Sequence, residues 1–306
     1  MSKRNELFKT SIGGQALIEG VMMRGPEKTA MAVRVKDGSI VVEEGPSEKV
    51  KLAKVPLVRG VMSMITSLKI GYKYMMRSSE LAMEDIEDDK LSLYLKEKFG
   101  DKVENAISTV IYIIAVFLAL GLFVVIPTFI TGLIGKLVTL GRMRAVIEGI
   151  LKMTMFLMYL YLISRLEDIR RVFQYHGAEH KTISCYEAGD EITVENIKKH
   201  TRFHPRCGTS FLFIVIAVSI LVSSLITTES TLARVGLKLL LLPVVMGISY
   251  EIIKYSGSHD NWLSRTLAAP GLWVQRLTTR EPDDDQIEVA MTSFLRVLPE
   301  DGSDRC

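Results

Sequence analysis

Long apolar runs alternate along the chain with short stretches dense in charge. Residues 106–135 and 207–228 hold no charged side chain. Each run exceeds the roughly 20 apolar residues that cross a bilayer's hydrocarbon core, so each predicts a transmembrane helix. Two further runs are interrupted. Residues 145–164 carry Glu148 and Lys152, four apart on one helical face where they can pair. Residues 235–254 carry Lys238, Pro243 and Glu251. Counting these as spans gives an α-helical integral membrane protein with about four transmembrane helices.

Ahead of the first span the period changes. The stretch "MAVRVKDGSIVVEE", residues 31–44, alternates on either side of Asp37 and Gly38, the pair favoured by a two-residue hairpin turn. The glycine-rich "SIGGQALIEGVMMRGPEK" before it reads as a turn-rich packing segment. Its paired glycines allow close backbone approach, and it lacks the Gly-Lys-Ser/Thr of a phosphate-binding loop. Val61, Ile65, Leu68, Tyr72 and Met75 then recur every three or four residues, with Lys69, Lys73 and Arg77 on another face. Such a basic amphipathic helix suits either the membrane interface or the protein's own core. "MEDIEDDK" reads as an acidic helix or linker.

Beyond the last span, the aspartates at 283–285 suit a helix N-terminus, and Ile287, Met291, Phe294 and Leu298 form an apolar stripe. "PEDGSDRC" reads as a disordered tail. The predicted organisation is therefore a cytosolic Gly-rich and β-hairpin element (1–55) and an interfacial helix with an acidic linker (56–105). Spans one and two follow (106–164), then a cytosolic His/Cys loop (165–207), spans three and four (208–254) and a cytosolic C-terminal segment (255–306).

Charge orients the spans. Segment 165–206 holds Arg165, Arg170, Arg171, Lys181, Lys198, Lys199, Arg202 and Arg206. The opposite loops hold Lys136, Arg142 and Arg144 in one, and Arg234 and Lys238 in the other. Basic residues near span ends favour the cytoplasmic side. "MSKRNELFKT" lacks the apolar core of a signal peptide. Both termini and the His-rich loop are accordingly expected in the cytosol, with the chain in the cell membrane. A net charge of +3 and no interleaving of basic and aromatic residues argue against nucleic acid. Cys185, Cys207 and Cys306 are an odd set with no disulfide spacing, which fits a reducing compartment.

Candidate chemistry is concentrated. Four of the five histidines lie between 176 and 204. "HGAEH" sets His176 and His180 four apart, on one face if the helix of the second span continues, where two imidazoles can reach one metal. Glu179 between them is a candidate general base, as in the H-x-x-E-H pattern of inverted zinc proteases. Gly177 weakens that helix by roughly 1 kcal/mol relative to alanine, so fraying is expected there. "FHPRCG" adds His204 and Cys207, a pair resembling a zinc knuckle with histidine in the first ligand place. Thiolate with imidazole favours zinc over magnesium or calcium. Four protein ligands would close the site structurally, whereas three would leave a water for Glu179 to activate. Glu251, at the inner end of the last span, is a further candidate ligand. The blander readings make His200 a surface residue, His259 a turn residue and Cys185 a small core residue. Without a metal, the cluster and Arg206 would bind phosphate or lipid headgroups.

The motifs "GGQALIEGVMMRGP", "YHGAEHKTISCYE", "HPRCGTSF" and "LTTREPDDDQIEVA" resemble those of the bacterial YqhQ-like family, a domain-of-unknown-function family labelled a predicted metal-dependent enzyme. The resemblance runs from about Ile12 to Leu298, with His176, Glu179, His180, His204 and Cys207 at motif positions. It implies a metal and supplies no reaction. The expectation is a membrane-embedded, zinc-dependent hydrolase acting on a lipid-linked or membrane-protein substrate at the cytosolic face. The alternative is a scaffold, channel or transporter with a structural metal. In that case a homo-oligomer could line a pore with Ser108, Thr109, Ser219 and Ser223.

Overall fold

The computed structural model describes residues 7–48, 54–82, 101–141, 143–259 and 261–305, with side chains except at 101–108 and 258. The predicted acidic linker "MEDIEDDK" lies outside the described residues, as does Cys306. The chain divides into two compact units. One comprises Met1–Met83, Tyr159–Val215 and Met246–Cys306, and the other Glu84–Met158 and Ile216–Val245. The protein is mostly helical, with a small N-terminal antiparallel sheet.

The first unit is built on that sheet, a meander of β1 (Gly13–Leu17), β2 (Gly20–Arg24), β3 (Lys28–Arg34) and β4 (Ile40–Pro46). The glycine-rich segment is thus a pair of strands, not a turn-rich connector. Leu17 pairs directly with Gly20, so Ile18 and Glu19 alone make the turn, with Glu19 at φ 49°. The predicted hairpin at Asp37-Gly38 is present but its turn differs. Val35 pairs with Ser39, and the Gly38 N–H returns to the Val35 carbonyl. Gly38 has φ +86° while Asp37 has a negative φ, so the turn lacks the two positive-φ residues that a two-residue type I′ loop requires.

Alternation along the strands loads both faces of the sheet. Val21, Met23, Ala30 and Ala32 enter one core with Tyr175, Ile183, Ile197, Ile287 and Phe294. Leu17, Met22, Met31 and Val33 enter a second with Ile70 and Leu81 of α1 (Val58–Ala82). The amphipathic helix therefore packs its Ile70 side on the protein, while Ile65 and Leu68 remain exposed.

Three further helices of this unit enclose the first core. They are α5 (Glu167–Ala188), α6 (Val194–Lys199) and α10 (Asp284–Leu295). As predicted, α10 is capped by an aspartate, with a reciprocal Asp283–Gln286 box. The expected tail is not free. Asp304 is fully buried, where the Thr10 hydroxyl donates to it at 2.5 Å, and Arg305 bridges Thr10.

Helices α2 (Asp101–Leu120), α3 (Ile126–Leu137), α4 (Met143–Ile163), α7 (Gly208–Ser224) and α8 (Thr231–Ser258) coincide with the predicted apolar runs, and α9 (Trp262–Thr278) follows them. A π-turn, Gly121–Val125, joins α2 to α3 just before Pro127. Proline lacks the N–H and its ring crowds the preceding turn, which the wider π geometry relieves. Thr109–Leu137, Met143–Ile163 and Thr231–Gly257 are long and apolar enough to cross a membrane, whereas Gly208–Ser224 is apolar but shorter.

Candidate metal centre

The central helix α5 is separate from α4. Leu166 takes an extended conformation between them, and α5 restarts with Glu167 and Asp168 in its first turn, where acidic side chains suit the helix dipole. It runs unbroken through Gly177 instead of fraying. A Cβ at Gly177 would collide with the carbonyl oxygen of Arg280, so glycine lets the segment after α9 cross the helix at this point. The Arg280 N–H donates to the Phe173 carbonyl at 2.8 Å, fixing that crossing.

The crossing matters because it delivers a carbonyl to His176. The Thr278 carbonyl lies 2.8 Å from His176 Nδ1, and the Arg202 carbonyl lies 2.6 Å from His180 Nδ1. A carbonyl only accepts, so both rings carry their proton on Nδ1 and present Nε2 as a lone pair. His176 Nε2 is 3.2 Å from the Cys207 sulfur. The ligand atoms of His176, His180 and Cys207 all fall within 4.8 Å of one another. Backbone acceptors behind ligand imidazoles are the usual arrangement around a metal. Two imidazole nitrogens and one sulfur converging in this way are donor types that fit zinc.

Glu179 lies beside this cluster. Its Oε2 is 3.9 Å from His176 Nε2, and its Oε1 accepts the Gly14 N–H at 3.1 Å. Burial pushes its carboxyl above the usual range, against the opposing pull of His176 and the Gly14 bond. Burial equally lowers His180, favouring the neutral imidazole that ligation needs.

Two expected ligands have other partners, although the His204 ring packs 5.6 Å from that of His180. His204 Nε2 is 3.3 Å from Glu187, whose carboxylate also pairs with Arg206 and accepts the Thr10 N–H. The His204 backbone is clamped by the Gln275 amide, which accepts its N–H at 2.8 Å and donates to its carbonyl at 2.7 Å. Glu251 lies outside the cluster, held by the Arg59 guanidinium and the Leu57 N–H. Of the remaining histidines, His200 pairs with Asp190 and His259 stacks on Tyr255. Cys185 is a core residue, as expected, and burial pushes its thiol up to about 11.

Sequence reasoning missed Gly14, Glu187, Gln275 and the carbonyls of Arg202 and Thr278. Only Glu187 left a trace, as a carboxylate two turns beyond His180 on the same helix.

Comparison with known proteins agrees with the motifs. Residues 55–300 match a family described as a protein of unknown function, DUF1385. The chain belongs to this family. It is 37% identical over 292 residues to the "uncharacterized protein YqhQ" of Bacillus subtilis (strain 168), covering 94% of this chain and 92% of that protein. No solved structure matches the chain.

Proposed function

We propose that the protein is a membrane-embedded, zinc-dependent hydrolase working at the cytosolic face of the membrane. The observation that carries this reading is the number of protein donors. Among the described residues three converge, and the fourth expected one, His204, packs beside His180 but turns its Nε2 to Glu187. Structural zinc sites are closed by four protein ligands, whereas catalytic ones keep a position open. Zinc held there would supply Lewis-acid activation of water.

The protein's own groups supply the rest. Thr278 and Arg202 fix the tautomers of the two imidazoles, and Glu179 takes the proton released by the attacking water. The Gly14 N–H holds Glu179 to one side, leaving Oε2 towards the histidines. A groove of about 480 Å³, lined in part by Gly13, Gly14, Gln15 and Arg24, shares Gly14 with this site and supports access for an extended substrate.

In this reading α4, α8, the α2–α3 run and the shorter α7 all cross the membrane, with both termini and segment 165–206 in the cytosol. The partners are then membrane lipids and a lipid-linked or membrane-protein substrate. Purified protein should contain near-stoichiometric zinc, and a single reporter cysteine near Glu195 should resist an impermeant reagent added to intact cells. Metal-free protein that restores function in a deletion strain would end the enzymatic reading, and labelling from outside would end the topology.

A further inference from the structure

The second unit buries a cluster of charge that plays no part in the metal centre. On α4, Arg144, Glu148 and Lys152 succeed one another at four-residue intervals, and on α8 Arg234 and Lys238 do the same. All five are at least nine-tenths buried, at 9%, 1%, 8%, 4% and 8% exposure respectively. Lys238 pairs with Glu148, Lys152 stands 3.2 Å from the same carboxylate, and the Thr128 hydroxyl donates to it at 3.0 Å. One turn before that contact on each helix stand Arg144 and Arg234, and they reach neighbouring residues of one loop, Arg144 approaching Glu229 at 3.7 Å and Arg234 the Thr228 carbonyl at 3.5 Å.

The charges do not balance. Among the described residues four buried cations face one buried carboxylate, and Glu148 is already shared by two lysines. The other nearby acid among the described residues, Glu229, ion-pairs with Arg144 at 3.7 Å but is almost fully exposed, so solvent screens it. Arg234 spends one nitrogen on the carbonyls of Ile226 and Thr228. The Nε atoms of both arginines are buried without a hydrogen-bond partner among the described residues. Like charges side by side, with buried donors unsatisfied, are costly in apolar surroundings unless an anion joins them. Gly132 lets Thr231 pack close beside the arginine, since a Cβ there would stand 2.5 Å from the Thr231 hydroxyl, with the Arg144 guanidinium in contact at 3.5 Å.

We propose that Arg144 and Arg234 form an oxyanion site of the phosphate class, filled by an anionic phospholipid headgroup or by free phosphate. Both arginines lie in the first turn of their helices, where the helix dipoles also favour an anion. Guanidinium forks match phosphate oxygens two at a time, which lysine does not. First-turn positions also correspond to headgroup depth in a spanning helix. The site is independent of the zinc reading.

The test uses full-length protein in detergent, stripped of lipid. Native mass spectrometry would follow phosphatidylglycerol, with phosphate-free diacylglycerol as control, and thermal shift would follow inorganic phosphate. Saturable binding of phosphatidylglycerol but not diacylglycerol assigns the lipid source, and a saturable shift with phosphate assigns the solute. Arg144→Gln should weaken whichever binding is found by about tenfold or more, the worth of a charge-assisted contact. Arg144→Lys should fall between Arg144→Gln and wild type. Binding of neither probe by wild type would overturn the proposal, and so would wild-type affinity in Arg144→Gln.

Discussion

Gly14 gives its backbone N–H to Glu179 across 3.1 Å, joining the first strand of the sheet to the carboxylate beside the cluster of His176, His180 and Cys207. The contact requires glycine. A Cβ at position 14 would stand 2.8 Å from Glu179 Cγ, the Met22 carbonyl oxygen and Met23 Sδ. Gly14→Ala should therefore cost about 1–3 kcal/mol, the usual penalty for overpacking a filled site. Chemical denaturation measures it. Gly13→Ala, with open space around its Cβ, should be nearly silent, and equal effects of the two substitutions would argue against the contact.

The ligand set makes a second prediction. His176→Ala, His180→Ala and Cys207→Ala should each reduce bound zinc, measured by elemental analysis. His204→Ala and Glu251→Ala should leave it near the wild-type level, because these side chains are committed to Glu187 and Arg59. Loss of zinc in His204→Ala without loss of folding would instead make His204 the fourth ligand and the site structural.

Cys185 offers a check on the core. Its thiol is held up to about 11 by burial, and a raised thiol pKa suppresses thiolate at lower pH. At pH 8 roughly one molecule in a thousand would carry the nucleophilic form. Iodoacetamide at that pH should leave Cys185 unmodified in native protein and label it after denaturation, as mapped by peptide mass spectrometry. Labelling in the native state would contradict the packing of α5.

The buried charges of the second unit should be sensitive to neutralising Glu148, the buried acid among the described residues. Glu148→Gln would leave Lys152 and Lys238 without a counter-charge, at a cost of about 3–5 kcal/mol. The melting temperature in detergent should fall steeply. An unchanged value would mean that these lysines reach solvent.

Much of this was legible in the pattern of residues. Apolar runs marked the helices, although the uncharged run 207–228 gave the shorter Gly208–Ser224 while the interrupted runs gave long ones; the spacing of His176 and His180 marked one helix face, and the aspartate-rich start of α10 marked its cap. What stayed hidden depended on contacts distant in sequence. "HPRCG" offers histidine and cysteine equally, and only the approach of Glu187 from α5 separates them. Glu251 looked suited to a metal because Arg59 lies almost two hundred residues away in sequence. Gly177 looked like a weak point of the helix because nothing in the sequence announces that Arg280 crosses there. The excess of buried positive charge was invisible for a similar reason, since Glu148–Lys152 reads as a sufficient pair until Lys238 and the two arginines join it.

Glu179 tests the central claim most directly. Glu179→Gln keeps the shape of the side chain and its capacity to accept from Gly14, while removing the base. The variant should fold and retain zinc at the wild-type level, yet complementation of a deletion strain should fail. The expected loss of activity is roughly two orders of magnitude or more, the worth of a general base. Elemental analysis and complementation measured together on this one variant decide the matter. Full zinc with lost complementation is the expected result, and full zinc with full complementation at normal protein levels would contradict the assignment of Glu179 as the base.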